Sequence, residues 1–159
     1  MRLSSMSSAV VFGSLVFLCA CSLPYVNEYQ DPLTPEEHLK LGISYEEEGQ
    51  FKAAIREYKA ASEKIPEPYY YLGNLYFQQG QYDEAEDNYK AAIREMPMDP
   101  RSYNNLAWLY STSKSNLLEA ERLILRALEL VKDEDSKPYR DTLHRIRALQ
   151  GKESASAGG

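Results

Sequence analysis

The stretch LGNLYFQQGQYDEAEDNYKAAIREMP, residues 72–97, repeats the stretch LGISYEEEGQFKAAIREYKAASEKIP, residues 41–66, at an offset of 31 residues. Leu41, Gly42, Tyr45, Gly49 and Gln50 become Leu72, Gly73, Tyr76, Gly80 and Gln81. Phe51, Ala54, Tyr58, Ala61 and Pro66 become Tyr82, Ala85, Tyr89, Ala92 and Pro97, and Lys59, Ala60 and Ile65 are matched by Lys90, Ala91 and Met96. Large residues, small residues and glycines copied at fixed places mark a stacked supersecondary unit. The pattern directs the reading toward a binding or assembly surface rather than a catalytic pocket.

Three copies of one signature extend from this core. His38-x-x-Leu41-Gly42-x-x-Tyr45 leads to Ala54, Tyr58, Ala61 and Pro66; Tyr69-x-x-Leu72-Gly73-x-x-Tyr76 leads to Ala85, Tyr89, Ala92 and Pro97. Tyr103-x-x-Leu106-Ala107-x-x-Tyr110 leads to Ala120, Ile124 and Ala127. Small residues at the eighth and twentieth places let two helices approach, and the bulky ones fill the space that remains. The pattern resembles the tetratricopeptide (TPR) repeat family over residues 35 to about 150. That resemblance implies an all-α fold, a right-handed superhelical stack of three helix-turn-helix units (about 35–65, 66–98 and 100–132) plus a C-terminal capping helix, 137–150. The chain departs from the family in three places: Pro66-Glu67-Pro68 shortens the first junction, the loop from Ser111 to Asn116 carries one extra residue, and Lys132 stands where a proline is usual.

The helix boundaries are written in the sequence. Thr34-Pro35-Glu36-Glu37 predicts a capped start, with proline at the first helical position, and Asp99-Pro100 repeats the device. Gly49-Gln50 and Gly80-Gln81 end the first helix of each pair. Asp141-Thr142-Leu143 followed by Gly151 reads either as the first helix of an uncompleted fourth unit or as a solvating cap, and residues 151–159 read as a small, polar, disordered tail.

Residues 1–20 are a different kind of sequence. Arg2 precedes an apolar run from Ala9 to Leu18, too short to span a bilayer comfortably, which favours a secretory signal over an uncleaved anchor. Leu18-Cys19-Ala20-Cys21 resembles a bacterial lipobox, which implies that Cys21 becomes the lipidated N-terminus and that Cys19 leaves with the signal peptide. Ser22, where inner-membrane retention favours aspartate, implies an outer-membrane lipoprotein facing the periplasm. Residues 21–33 then form a lipidated cysteine and flexible tether, whose extended length of about 40 Å holds the domain off the membrane.

The net charge of −6 becomes −7 once Arg2 is removed, and no basic face is clustered, which argues against a nucleic-acid partner. Charge is uneven along the domain. Glu36, Glu37, Glu46, Glu47 and Glu48 crowd the first helix, whereas Lys137, Arg140, Arg145, Arg147 and Lys152 crowd the last. Head-to-tail self-association and ordinary solvated faces both account for this.

In the family, the first helices of successive pairs line a concave groove that takes a peptide. The resemblance carries this to Leu39, Ile43, Glu46 and Glu47 in the first unit, Tyr70, Asn74, Phe77 and Gln78 in the second, and Arg101, Asn104, Trp108 and Thr112 in the third. The same side chains, Trp108 and Ile43 above all, also read as packing between repeats. A carboxylate clamp is not expected, because Leu39 and Ile43 occupy first-unit places that a clamp needs basic or amide residues to fill. Of Tyr69-Tyr70-Tyr71, only Tyr70 is expected to face the groove.

No motif carries chemistry. His38 and His144 lack metal-ligand spacing to a cysteine or carboxylate, no nucleophile, Walker or dinucleotide motif is present, and Glu84 and Glu86 read as a solvated helix surface. The chain therefore reads as a non-enzymatic adaptor with no cofactor beyond a covalent lipid on Cys21. The expected partner is a protein or peptide of the bacterial envelope, and the resemblance points to assembly of a pilus or secretion machine. The alternatives are a scaffold for cell-wall or outer-membrane assembly enzymes and a self-associating structural lipoprotein.

Overall fold

The computed structural model describes residues 31–156. The readings of residues 1–20 as signal peptide, of Cys21 as lipid site and of most of the tether lie outside them. The described residues hold seven α-helices and no strand: α1 (Pro35–Glu47), α2 (Phe51–Ser62), α3 (Pro68–Gln78), α4 (Tyr82–Glu95), α5 (Pro100–Ser113), α6 (Leu117–Leu130) and α7 (Lys137–Ser156). A short 3-10 turn, Asp133–Asp135, precedes α7. Helices α1, α3 and α5 each pack on the even-numbered helix that follows, and the pairs stack in chain order.

The termini form as the capping logic requires. Glu37 N–H donates to Thr34 Oγ1 at 3.2 Å, and Thr34 N–H donates back to Glu37 Oε2 at 2.8 Å. Asp99 Oδ1 accepts from Arg101 N–H at 3.0 Å. Gly49 and Gly80 turn the chain at φ +74°, a conformation that L side chains rarely adopt. The third pair has no glycine here and instead holds Lys114 and Asn116 at φ 51° and 48°.

The core is a ladder of repeated contacts. Ala54, Ala85 and Ala120, then Ala61, Ala92 and Ala127, are fully buried where paired helices meet. Tyr58, Tyr89 and Ile124 fill the space beside them. Burying side chains of that size contributes roughly 1.5–3 kcal/mol each before chain entropy is subtracted.

Two findings concern α7, and the first accords with both sequence readings of it. It packs on α6 and α5 as α5 packs on α4 and α3, so it occupies the place of a first helix in a fourth unit while also capping the stack. The second is its length. The helix runs through Gly151 to Ser156 instead of stopping at 150. Gly151 lacks the positive φ with which Gly49 and Gly80 turn the chain, so it does not end the helix. Residues 157–159 lie outside the described part.

Candidate functional site

Helices α1 and α3 are first helices of adjacent pairs, so residues on corresponding turns border one hollow of about 710 Å3. Ile43, Glu46 and Glu47 form its α1 wall, Tyr70, Tyr71, Asn74 and Gln78 its α3 wall, and Phe51 and Tyr58 reach it from α2. Arg101 enters from α5.

Its aromatic floor is ordered by ring contacts. Tyr71 stacks on Tyr58 with centroids 5.4 Å apart and meets Tyr70 edge-on at 5.3 Å. The Arg101 guanidinium lies 4.5 Å from the centre of the Tyr70 ring. Polar groups hold the walls. Tyr58 O–H donates to Glu46 Oε2 at 2.6 Å, and burial followed by this carboxylate pushes the phenol's pKa well up. Tyr89 O–H and Asn105 Nδ2 both donate to Asn74 Oδ1, at 2.9 and 2.8 Å. Arg101 is gripped by Asp99, with Nε 3.0 Å from each oxygen and Nη2 2.7 Å from Oδ2. Burial would raise the Asp99 carboxyl, but the hydrogen bonds from Arg101 outweigh it and hold the group below its ordinary value.

Seven of the twelve sequence-derived groove residues meet in this hollow: Ile43, Glu46, Glu47, Tyr70, Asn74, Gln78 and Arg101. The other five do not. Leu39 is buried in the core, and Phe77 packs on Tyr82 with ring centroids 5.6 Å apart. Of the three remaining third-unit residues, Asn104 and Trp108 meet α7. Thr142 O–H donates to Asn104 Oδ1 at 2.9 Å, and the Arg145 guanidinium covers Trp108 at 4.5 Å. Thr112 O–H donates to the Trp108 carbonyl at 2.9 Å. The sequence reading missed Phe51, Tyr58 and Tyr71. Tyr58 serves both packing and the site, its ring buried and its hydroxyl bonded to Glu46 on the α1 wall. The expectation that Tyr70 alone of its triplet faces the groove is corrected, because Tyr71 crosses to the first unit through its stack on Tyr58.

A second depression, of about 730 Å3, lies between α6 and α7 and has no aromatic lining. Its arginines are engaged, Arg122 with Glu119 at 2.9 Å and Arg147 with Glu121 at 2.7 Å. Among the described residues no group of His, Cys, Asp and Glu is placed to hold a metal ion. His38 is buried, its Nδ1 2.8 Å from Glu57 Oε2. Glu86 accepts from Tyr110 O–H at 2.8 Å and pairs with Lys90, which makes it a structural carboxylate.

Residues 73–112 match the family model of the TPR repeat. No curated protein matches the chain at a significant level. Among solved structures, the Yersinia enterocolitica type III secretion chaperone SycD, in complex with a peptide of the translocator YopD, aligns with a TM-score of 0.65 at 23% identity, over 74% of this chain and 93% of that one. The first TPR of Spaghetti (RPAP3), bound to the HSP90 peptide SRMEEVD, gives 0.68 at 18% identity, over 76% and 96%. A tetratricopeptide repeat protein from Parabacteroides merdae gives 0.68 at 22% identity, over 79% of this chain and 49% of that one. At these identities the likeness is one of fold.

Proposed function

We propose that this tetratricopeptide-repeat chain is a lipid-anchored adaptor of the bacterial envelope, which seats a segment of a protein partner in the hollow between α1 and α3. The observation that carries the reading is the hollow itself. It has about 710 Å3 of space, an ordered aromatic floor for contact area and amide side chains for a peptide backbone. Two of the structural neighbours, SycD and the Spaghetti domain, are recorded with peptides, which supports the same use of the fold here. The mechanism is equilibrium binding on a rigid surface. A lipid on Cys21 confines the encounter to the membrane and raises the effective concentration of a membrane-bound partner without adding a contact. Assembly of a pilus or secretion machine is the envelope role to which the tetratricopeptide resemblance points.

The test compares affinity isolation from detergent-solubilised envelopes using wild type, Tyr70→Ala and Cys21→Ala. The expected result is one envelope protein recovered with wild type, lost with Tyr70→Ala and reduced in yield with Cys21→Ala. Undiminished recovery with a folded Tyr70→Ala chain would contradict the adaptor reading.

A further inference from the structure

We infer that the hollow selects a basic–apolar segment: an extended peptide whose lysine or arginine is received by Glu46 and Glu47 while an adjacent apolar side chain lies on Tyr70 and Tyr71. The inference rests on the groove reading above and adds the chemistry of the occupant.

The first argument is charge. Across the hollow the two signs are not equally available. Arg101 is held by Asp99 through two nitrogens, lies 3.9 Å from Glu67 and stacks on Tyr70, so its charge is already compensated. Glu46 and Glu47 have no ion-pair partner among the described residues. Glu46 accepts only the Tyr58 hydroxyl, which neutralises nothing, and Glu47 is exposed. The unbalanced charge is therefore negative and sits on the α1 wall. An acidic segment would bring like charge to that wall with no available cation opposite, which selects against it.

The second argument is the register of the repeat. The places of Glu46 and Glu47 are taken by Phe77 and Gln78 in the second unit and by Ser111 and Thr112 in the third. Three units stack with only one carrying this acidic pair, so helix packing does not require it. Tyr58 and Tyr89, at equivalent places, find different acceptors, Glu46 and Asn74, so a hydroxyl partner does not require a carboxylate either.

The third argument comes from the aromatic floor. The negative face of a tyrosine ring attracts a cation, and the chain already makes that contact with Arg101 on Tyr70. A basic side chain leaving the carboxylates meets Tyr70 and Tyr71, and its methylenes lie along the same rings. Asn74 uses its carbonyl oxygen on two internal donors, so its amide N–H groups remain for the peptide backbone. With α7 seated on the third unit, the footprint is confined to this hollow.

The test is fluorescence anisotropy on the full chain in detergent micelles. Three end-blocked peptides, each long enough to cross the hollow, share one aromatic core and carry flanking lysine and arginine, flanking glutamates, or flanking serines. The basic peptide is expected to bind roughly tenfold or more tightly than the serine peptide, with the acidic peptide weakest and the preference shrinking at high salt. Glu46→Gln with Glu47→Gln is expected to remove that preference, and Glu47→Lys to favour the acidic peptide. Glu84→Gln, which removes an exposed carboxylate on α4, is expected to change nothing. If the serine or acidic peptide binds as tightly as the basic one and Tyr70→Ala abolishes it, the groove stands and the basic preference falls. Basic-peptide binding that survives loss of Glu46 and Glu47 overturns the preference as diffuse attraction to an acidic protein. No binding by any peptide overturns the preference and the groove together.

Discussion

At Gly73 the α3 backbone passes so close to Tyr89 that a methyl group there would sit 2.5 Å from the ring, and Gly42 stands in the same relation to Tyr58. Two effects of opposite sign meet in a Gly→Ala change. Helix propensity favours alanine by about 1 kcal/mol, whereas overpacking against a buried ring costs about 1–3 kcal/mol. Both rings are fully buried and cannot swing away, so Gly73→Ala is expected to lower stability in urea denaturation. The third unit shows the compensation, with Ala107 opposite Ile124 in place of a tyrosine. Combining Gly73→Ala with Tyr89→Ile should therefore cost less than the sum of the single changes, and simple additivity would refute this account of the glycine. The buried pair His38 and Glu57 makes a second prediction. Burial would raise the Glu57 carboxyl, but hydrogen bonds from His38 and Arg56 outweigh it and hold its pKa below the ordinary 4.5. A depressed folded pKa gives stability that is full above the unfolded value and lost as pH falls through the folded one. The stability advantage of wild type over Glu57→Gln should therefore shrink as pH drops below about 4.5, and a constant gap down to about pH 3 would count against it. The repeat pattern gave His38 a large-residue place but not its partner. The available signal was that His38 and Glu57 both depart from the tyrosine and asparagine at the matching places, Tyr69 and Asn88.

Helix starts and the first two turns were legible because each rests on a local device: a capping box, an N-terminal proline, a glycine at positive φ. The fate of α7 was not, because it depends on what the helix packs against. Its sequence admits both a cap and a fourth first helix, and the structure makes it both. Leu143 stands at the place that Gly42, Gly73 and Ala107 fill in the earlier units. A large residue fits there because, among the described residues, no following helix closes on α7. This stacking also draws Asn104 and Trp108 toward packing, the other reading of the groove set, since Thr142 and Arg145 already use them. Trp108 is the single tryptophan of the chain, so it reports this contact alone. Arg145→Ala should shift its emission to longer wavelength and lower stability by roughly 0.5–1 kcal/mol, the worth of an exposed cation–π contact. An unchanged spectrum would mean that α7 does not sit on Trp108 in solution.

Over the whole described chain, the core uses the repeated letters, and the hollow adds to Phe51 and Tyr58 letters that break the repeat. That division explains what the sequence could reveal. Ala54, Tyr58 and their copies announce the fold because packing forces their recurrence. Glu46, Glu47 and Tyr71 do not recur, so only a resemblance or the structure itself could assign them to a surface. The charged ends look less suited to stacking copies than their composition suggested. Arg145 is spent on Trp108 and Ser111, and Arg147 on Glu121. The measurement that tests the central claim most directly is in-cell photo-crosslinking with the probe at Tyr70 or Asn74 in the hollow, and at Asp87, exposed on α4, as the control. The account predicts one dominant envelope protein crosslinked from the hollow and not from Asp87. Equal yields from both faces, or crosslinks only to a second copy of the chain, would contradict it.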